Sequence, residues 1–222
     1  MQHDRPHSGT PSILLGLLLS LVCAWPAGTS VQAGAPLVVL EDFRAKEADG
    51  FPSGWKGEGA RSQEAAHRAY KVQTEGEQAF LAARQADQRV HKKIAWDPRT
   101  HPFLTWKWRL KAAPAGAEPI AAVFASLDTD LLVIPVSDKY VWSSAKPKGT
   151  VTEGGLFSAS EIVVRTGAQP IGEWIEERVN AYEDFKQIHK HEPGVQAWGV
   201  SVFAGPGVEV DFASISVSAN ER

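Results

Sequence analysis

Two cations alternate with two indoles in Leu104-Thr105-Trp106-Lys107-Trp108-Arg109-Leu110. Successive side chains of an extended chain point to opposite faces, so Trp106 and Trp108 share one face with the leucines while Lys107 and Arg109 share the other with Thr105. The apolar face reads as core. The polar face reads as a place to hold a carboxylate or sulfate group, Lys107 as a compact point charge and Arg109 as a planar fork. Further on, Lys139-Tyr140-Val141-Trp142-Ser143-Ser144 offers a hydroxyl and a ring on which a sugar can stack. Lys107, Arg109, Tyr140 and Trp142 are therefore the expected ligand-binding set.

Acids offer a second chemistry. Glu176, Glu177, Asp184, Asp128 and Asp130 include the kind of carboxylate pair that glycoside hydrolysis needs. On a helix, however, Glu177 and Asp184 fall two turns apart on one flank, where pairing with Arg178 or Lys186 accounts for them. His189-Lys190-His191-Glu192 contains metal-ligating types. Histidine near a helix C-terminus is favoured by the dipole alone, and no second ligand cluster has metal-site spacing, so neither a metal nor a cofactor is expected. There is no Gly-x-Ser-x-Gly elbow and no phosphate loop, and no catalytic residue is assigned.

The elements that must position these groups are mostly strands. Runs at Leu37–Leu40, Tyr70–Val72, Phe80–Leu81, Val90–Trp96 and Leu104–Leu110 are separated by Gly, Pro and Asp turns. Ile120–Ala125 and Leu131–Val136 are continuous apolar runs around an acidic turn at 128–130, and Lys139–Trp142, Glu161–Arg165, Val195–Phe203, Val208–Phe212 and Ile215–Val217 follow. The spacing predicts an all-β, mainly antiparallel sandwich. One amphipathic surface helix is predicted near 171–189, with Trp174, Val179, Tyr182 and Phe185 on its apolar side, closed by Pro193-Gly194. Trp106, Trp108 and Trp174 are assigned to the core and to docking this helix, with Glu177, Arg178 and Asp184 as its ion-pairing residues. Among the other indoles, Trp55, Trp96 and Trp198 are further candidates for an open aromatic face, and Trp142 is left between core and surface.

At the N-terminus, the apolar run Ile13–Trp25 is shorter than the roughly 20 residues that span a bilayer. It ends at Pro26 and leads to Val31-Gln32-Ala33, a small-x-small cleavage pattern. Residues 1–33 read as a signal peptide and 34–222 as a single sandwich domain that is periplasmic or secreted, with no membrane span after cleavage. The one cysteine, Cys23, would leave with the signal. A net charge of −3 with both signs interspersed leaves no basic footprint for nucleic acid.

Asp42-Phe43 with Gly54-Trp55, the Pro102–Arg109 strand, Lys139–Ser144, Trp174 with Glu177-Arg178-Val179-Asn180, and Asp184 together resemble the bacterial exported family called domain of unknown function 3047 (DUF3047). The resemblance implies a jelly-roll-like β-sandwich similar to galactose-binding-like domains. Members of that family place an Asp-Asp and a later Arg where this chain reads Pro119–Phe124, and an acidic turn where it reads Ala204-Gly205-Pro206-Gly207. The function expected from all this is an envelope domain that binds a glycan or other polar small ligand without catalysis. A glycan-active enzyme and a structural or assembly partner of another protein are the alternatives.

Overall fold

The structure, a computed structural model, describes residues 37–130, 134–155 and 158–220. The signal-peptide segment and Leu131–Val133 lie outside the described residues. In chain order the elements are β1 (Val38–Glu41), β2 (Lys56–Gly57), α1 (Ala60–Ala69), β3 (Tyr70–Glu75), β4 (Gln78–Arg84), β5 (Arg89–Lys93), β6 (Phe103–Ala112) and β7 (Ala121–Asp130). There follow β8 (Ile134–Ser143), β9 (Val151–Thr152), β10 (Ser160–Thr166), β11 (Ile175–Asn180), α2 (Ala181–His189), β12 (Gly199–Ala204) and β13 (Glu209–Ser218).

Two sheets are stacked as a sandwich. One runs β11-β6-β13-β4-β3 with β1 also on β13; the other runs β2-β5-β12-β7-β8-β10-β9. All pairings are antiparallel except β8 with β10. The chain alternates between the sheets from β4 to β7 and again from β10 to β13, while β7 to β10 stay in one sheet; this is the jelly-roll-like arrangement that the family resemblance implies. Strand β6 lies between β11 and β13 and carries the core face of its sheet.

The core is an aromatic ladder between the sheets. Trp106 and Trp108 of β6 meet edge-on, and across the gap Trp106 contacts Tyr140 at 5.6 Å and Trp108 contacts Trp142 at 5.3 Å between ring centroids. The indole N–H groups of Trp106 and Trp108 have no hydrogen-bond partner among the described residues. An unmet donor costs about 1–3 kcal/mol, whereas burying an indole of about 200 Å² stabilises by about 5 kcal/mol. The apolar area therefore wins.

Several elements differ from the sequence reading. The helix predicted over 171–189 exists only as α2, while Ile175–Asn180 is strand β11, paired with β6 from Ile175 opposite Trp108 to Asn180 opposite Phe103. Ile175 and Val179 are four apart, which suits a helix face as well as a strand face. What decides is that pairing with β6 satisfies a row of backbone groups that the β6 edge would otherwise leave open. Asn180 then starts α2 by accepting a hydrogen bond from the Glu183 amide at 3.1 Å. Lys139–Trp142 belongs to a strand that already begins at Ile134, and the two segments predicted within 208–217 are one strand, β13, bulged between Ala213 and Ser216. Helix α1 has only Ala66 buried, so it carries no apolar stripe that periodicity could detect.

Candidate functional site

The four residues expected to bind a ligand do not share a surface. Tyr140 and Trp142 stand on the inward face of β8 and are fully buried, the indole N–H of Trp142 donating to the Gly167 carbonyl at 2.6 Å. Lys107 and Arg109 point outward from β6, in the opposite sheet. The two pairs thus lie on opposite sides of the β6 backbone, because Trp106 and Trp108 alternate with the cations.

Arg109 is itself only 7% exposed. Its guanidinium donates to Asp211 through Nε at 3.0 Å and lies 2.9 Å away through its second nitrogen, while Glu75 accepts a further bond at 2.7 Å. It is flanked by the Phe80 and Trp174 rings at 5.2 and 4.4 Å. Asp211 is fully buried and is also held by Arg84 at 2.6 Å. Arg109 is therefore an interior brace of the outer face of its sheet. Trp174 is a partly exposed lid on that brace, not part of the inter-sheet core. Lys107 is partly exposed and lies 3.7 Å from Glu176.

The expected helix acids are likewise redistributed. Glu177 lies on β11 and accepts from Arg165 of β10 at 2.6 Å, tying the two sheets together at their edge. Arg178 donates to Thr105 at 3.0 Å and Ser218 at 2.8 Å. Only Asp184 is on α2, where it accepts from the Tyr140 hydroxyl at 3.1 Å. Burial, then the neighbouring charges of Asp138 and Glu183, push its carboxyl up to about 6. Burial also raises the Asp138 carboxyl, which is fully enclosed and bonds His189 Nε2 at 3.0 Å through Oδ1. Its Oδ2 has no partner among the described residues.

A cleft of about 610 Å³ opens on the outer face of the other sheet. Alternation builds its floor. Val90, Val200, Val202, Val123 and Ala125 fill the core, so His91 of β5, Ser201 of β12 and Ser126 of β7 turn outward, joined by Ser137 of β8. His91 lies directly across from Ser201, and Ser126 directly across from Ser137 with their hydroxyl oxygens 2.7 Å apart. Trp198, immediately before β12, is partly exposed on the cleft wall, with its ring 5.4 Å from that of His91. Gly199 lets β12 approach β5 here, since a Cβ would stand 2.2 Å from the Lys92 carbonyl oxygen. The remaining wall comes from Gly154 and Gly155 and from His189 at the end of α2.

Burial, followed by the charge of Arg89, lowers the His91 pKa, so its imidazole is neutral at pH 7. Arg89 is paired with Glu58 and lies over the Phe124 ring at 4.8 Å. The cleft thus sets a partly exposed indole and an imidazole over a floor of serines that are themselves nearly buried, Ser126 and Ser201 at 2% and Ser137 at 6% exposure. Of its residues, Trp198, His189 and Asp130 are among those the sequence singles out, whereas His91, Ser126, Ser137 and Ser201 are not. A legible signal was the Val-Ser-Val alternation at 200–202; the assembly of these groups from four strands was not legible.

Away from the cleft, Glu47, Asp49 and His67 have ligand atoms close enough together for a metal. His67 Nδ1 is 2.8 Å from Asp49, Gln63 takes the other ring nitrogen, and Lys71 contacts the same Asp49 oxygen at 3.2 Å. Asp49 and His67 are thus engaged by each other, Gln63 and Lys71.

Residues 136–205 match the family described as "Protein of unknown function (DUF3047)", in agreement with the resemblance drawn from the sequence. That segment runs from within β8 to the end of β12 and includes Ser137, Asp138, Asp184, His189, Trp198 and Ser201. No functionally curated protein matches the chain. Among solved structures, the chain is similar to the K2 cleaved adhesin domain of Lys-gingipain, with TM-score 0.44, 11% identity and coverage of 82% of this chain and 99% of that one. It is also similar to the mannan-recognising carbohydrate-binding module TmCBM27, with TM-score 0.41, 11% identity and coverage of 85% and 100%. Endoglucanase 3 of Trichoderma harzianum gives TM-score 0.44, 9% identity and coverage of 85% and 99%.

Proposed function

We propose that this protein is an exported, non-catalytic glycan-binding domain whose site is the cleft over β5, β12, β7 and β8. The observation that carries the reading is Trp198, a partly exposed indole beside a strand-built floor of hydroxyls. Sugars present apolar C–H faces edged by hydroxyls, so a ring platform next to Ser201, Ser126 and Ser137 matches both aspects of their surface. The floor rests on paired strands, and so its groups are held in place before a ligand arrives.

Affinity electrophoresis through gels containing soluble neutral or acidic polysaccharides tests this. Retardation by at least one polymer is expected, with Trp198→Ala losing at least tenfold in affinity, about 1.4 kcal/mol. Its melting temperature should stay within about 2 °C of the parent, because the ring is not part of the core. Binding that survives Trp198→Ala unchanged refutes the site.

A second reading, a glycan-active enzyme, is favoured by one arrangement. Buried Asp138 orients the His189 imidazole at the cleft wall, which is how an acid–base histidine is held. Reducing-sugar release from any bound polymer, abolished in His189→Gln, would establish it. Binding without turnover leaves the first reading standing.

A further inference from the structure

Resting on the glycan reading of this cleft, we propose that its β2–β5 rim is an anion subsite, where Lys56 and Lys93 hold the carboxylate of an acidic sugar seated on Trp198. Lys56 of β2 is the direct cross-strand partner of His91 and so shares its outward face. Lys93 lies two residues beyond His91 on the same strand and face, and its Nζ stands 5.0 Å from the centroid of the Trp198 ring. Both lysines are exposed, and neither has a carboxylate partner among the described residues. Lys93 makes a cation–π contact with the Trp198 ring, whereas the third cation of this rim, Arg89, already has a carboxylate partner in Glu58.

His91 feels the balance. Burial, Arg89, Lys56 and Lys93 all disfavour its charged form, and Glu58 alone opposes them. The charges acting on this ring are thus three cations, Arg89, Lys56 and Lys93, against the one carboxylate of Glu58. The other rim differs in sign, with Asp130 on the wall and Asp128 3.9 Å from His191. A uronic acid fits this asymmetry, because its carboxylate projects from the edge of the same pyranose ring whose C–H face covers an indole. Such a ligand would rest its ring on Trp198, reach Lys56 and Lys93 with its carboxylate, and turn its hydroxyls toward Ser201 and Ser126.

The test is calorimetric titration of the parent, Lys56→Ala/Lys93→Ala and Trp198→Ala. The probes are polygalacturonate, alginate and hyaluronate, each beside its carboxyl-reduced, uncharged counterpart. The expected result is binding of at least one acidic polymer, roughly tenfold weaker for its reduced form. The lysine double variant should lose roughly tenfold on the acidic polymer and nothing on the reduced one. Raising NaCl from about 50 to 500 mM should weaken the parent more than the double variant. The His91 ring pKa, followed by NMR, should rise when the anion binds. Equal affinity for charged and reduced polymers, or lysine variants that bind like the parent while Trp198→Ala does not, overturns the anion subsite and leaves the glycan site intact. Binding of no polymer by the parent overturns both.

Discussion

Arg109→Ala is the perturbation whose outcome the structure constrains most tightly. The guanidinium is almost wholly buried, bonded to Asp211 and Glu75 and flanked by two rings. Removing one partner of a buried ion pair costs about 3–5 kcal/mol, because the other charge stays behind without compensation. Arg84 still holds Asp211 at 2.6 Å, which places this part at the low end of that range. Loss of the ring contacts with Phe80 and Trp174 adds about 1–2 kcal/mol. The sum is about 4–5 kcal/mol, or roughly 8–20 °C in melting temperature for a domain of this size. Lys107→Ala should change stability by less than about 0.5 kcal/mol, since both members of its pair with Glu176 are more than 40% exposed. Urea unfolding followed by tryptophan fluorescence reads both. In a cycle with Asp211→Ala, the Arg109 and Asp211 losses should be non-additive by about 1–3 kcal/mol. An Arg109→Ala protein as stable as Lys107→Ala would refute the brace and return Arg109 to the surface.

Asp184 gives a pH prediction. Its folded pKa of about 6 lies above the ordinary 3.8, so its favourable contribution is complete below about pH 4 and is lost as pH rises through 6. Asp184→Asn, which can still accept from the Tyr140 hydroxyl, should exceed the parent in stability by up to about 3 kcal/mol at pH 7 and match it at pH 4. Denaturant melts between pH 4 and 8 check this, and a parent that gains stability relative to the variant with rising pH contradicts it. Trp108→Ala should cost about 3–5 kcal/mol in the same assay, since it empties the centre of the inter-sheet ladder. On the proposed signal-peptide reading, intact mass spectrometry should find a mature chain beginning at Gly34; a retained Met1 or a lipid on Cys23 would argue against it.

The period-2 pattern of Leu104–Leu110 sufficed to predict a strand with both indoles on one face, and turn residues at regular spacing sufficed for an antiparallel sandwich. Those properties are local: alternation assigns a side to each residue wherever the strand ends up. Which solvent-facing side is open is not local. Arg109 and Lys107 are two residues apart on one face, yet only Arg109 meets Asp211, because β13 brings that acid alongside it. Tyr140 reads as an exposed hydroxyl until β8 is set opposite β6 across the core. Ile175–Asn180 fits a helix and a strand equally by spacing, and it became a strand because the β6 edge lay beside it with backbone groups to pair. The cleft is the extreme case. His91, Ser126, Ser137 and Ser201 come from four strands spread over more than a hundred residues, and only the register of those strands sets them side by side.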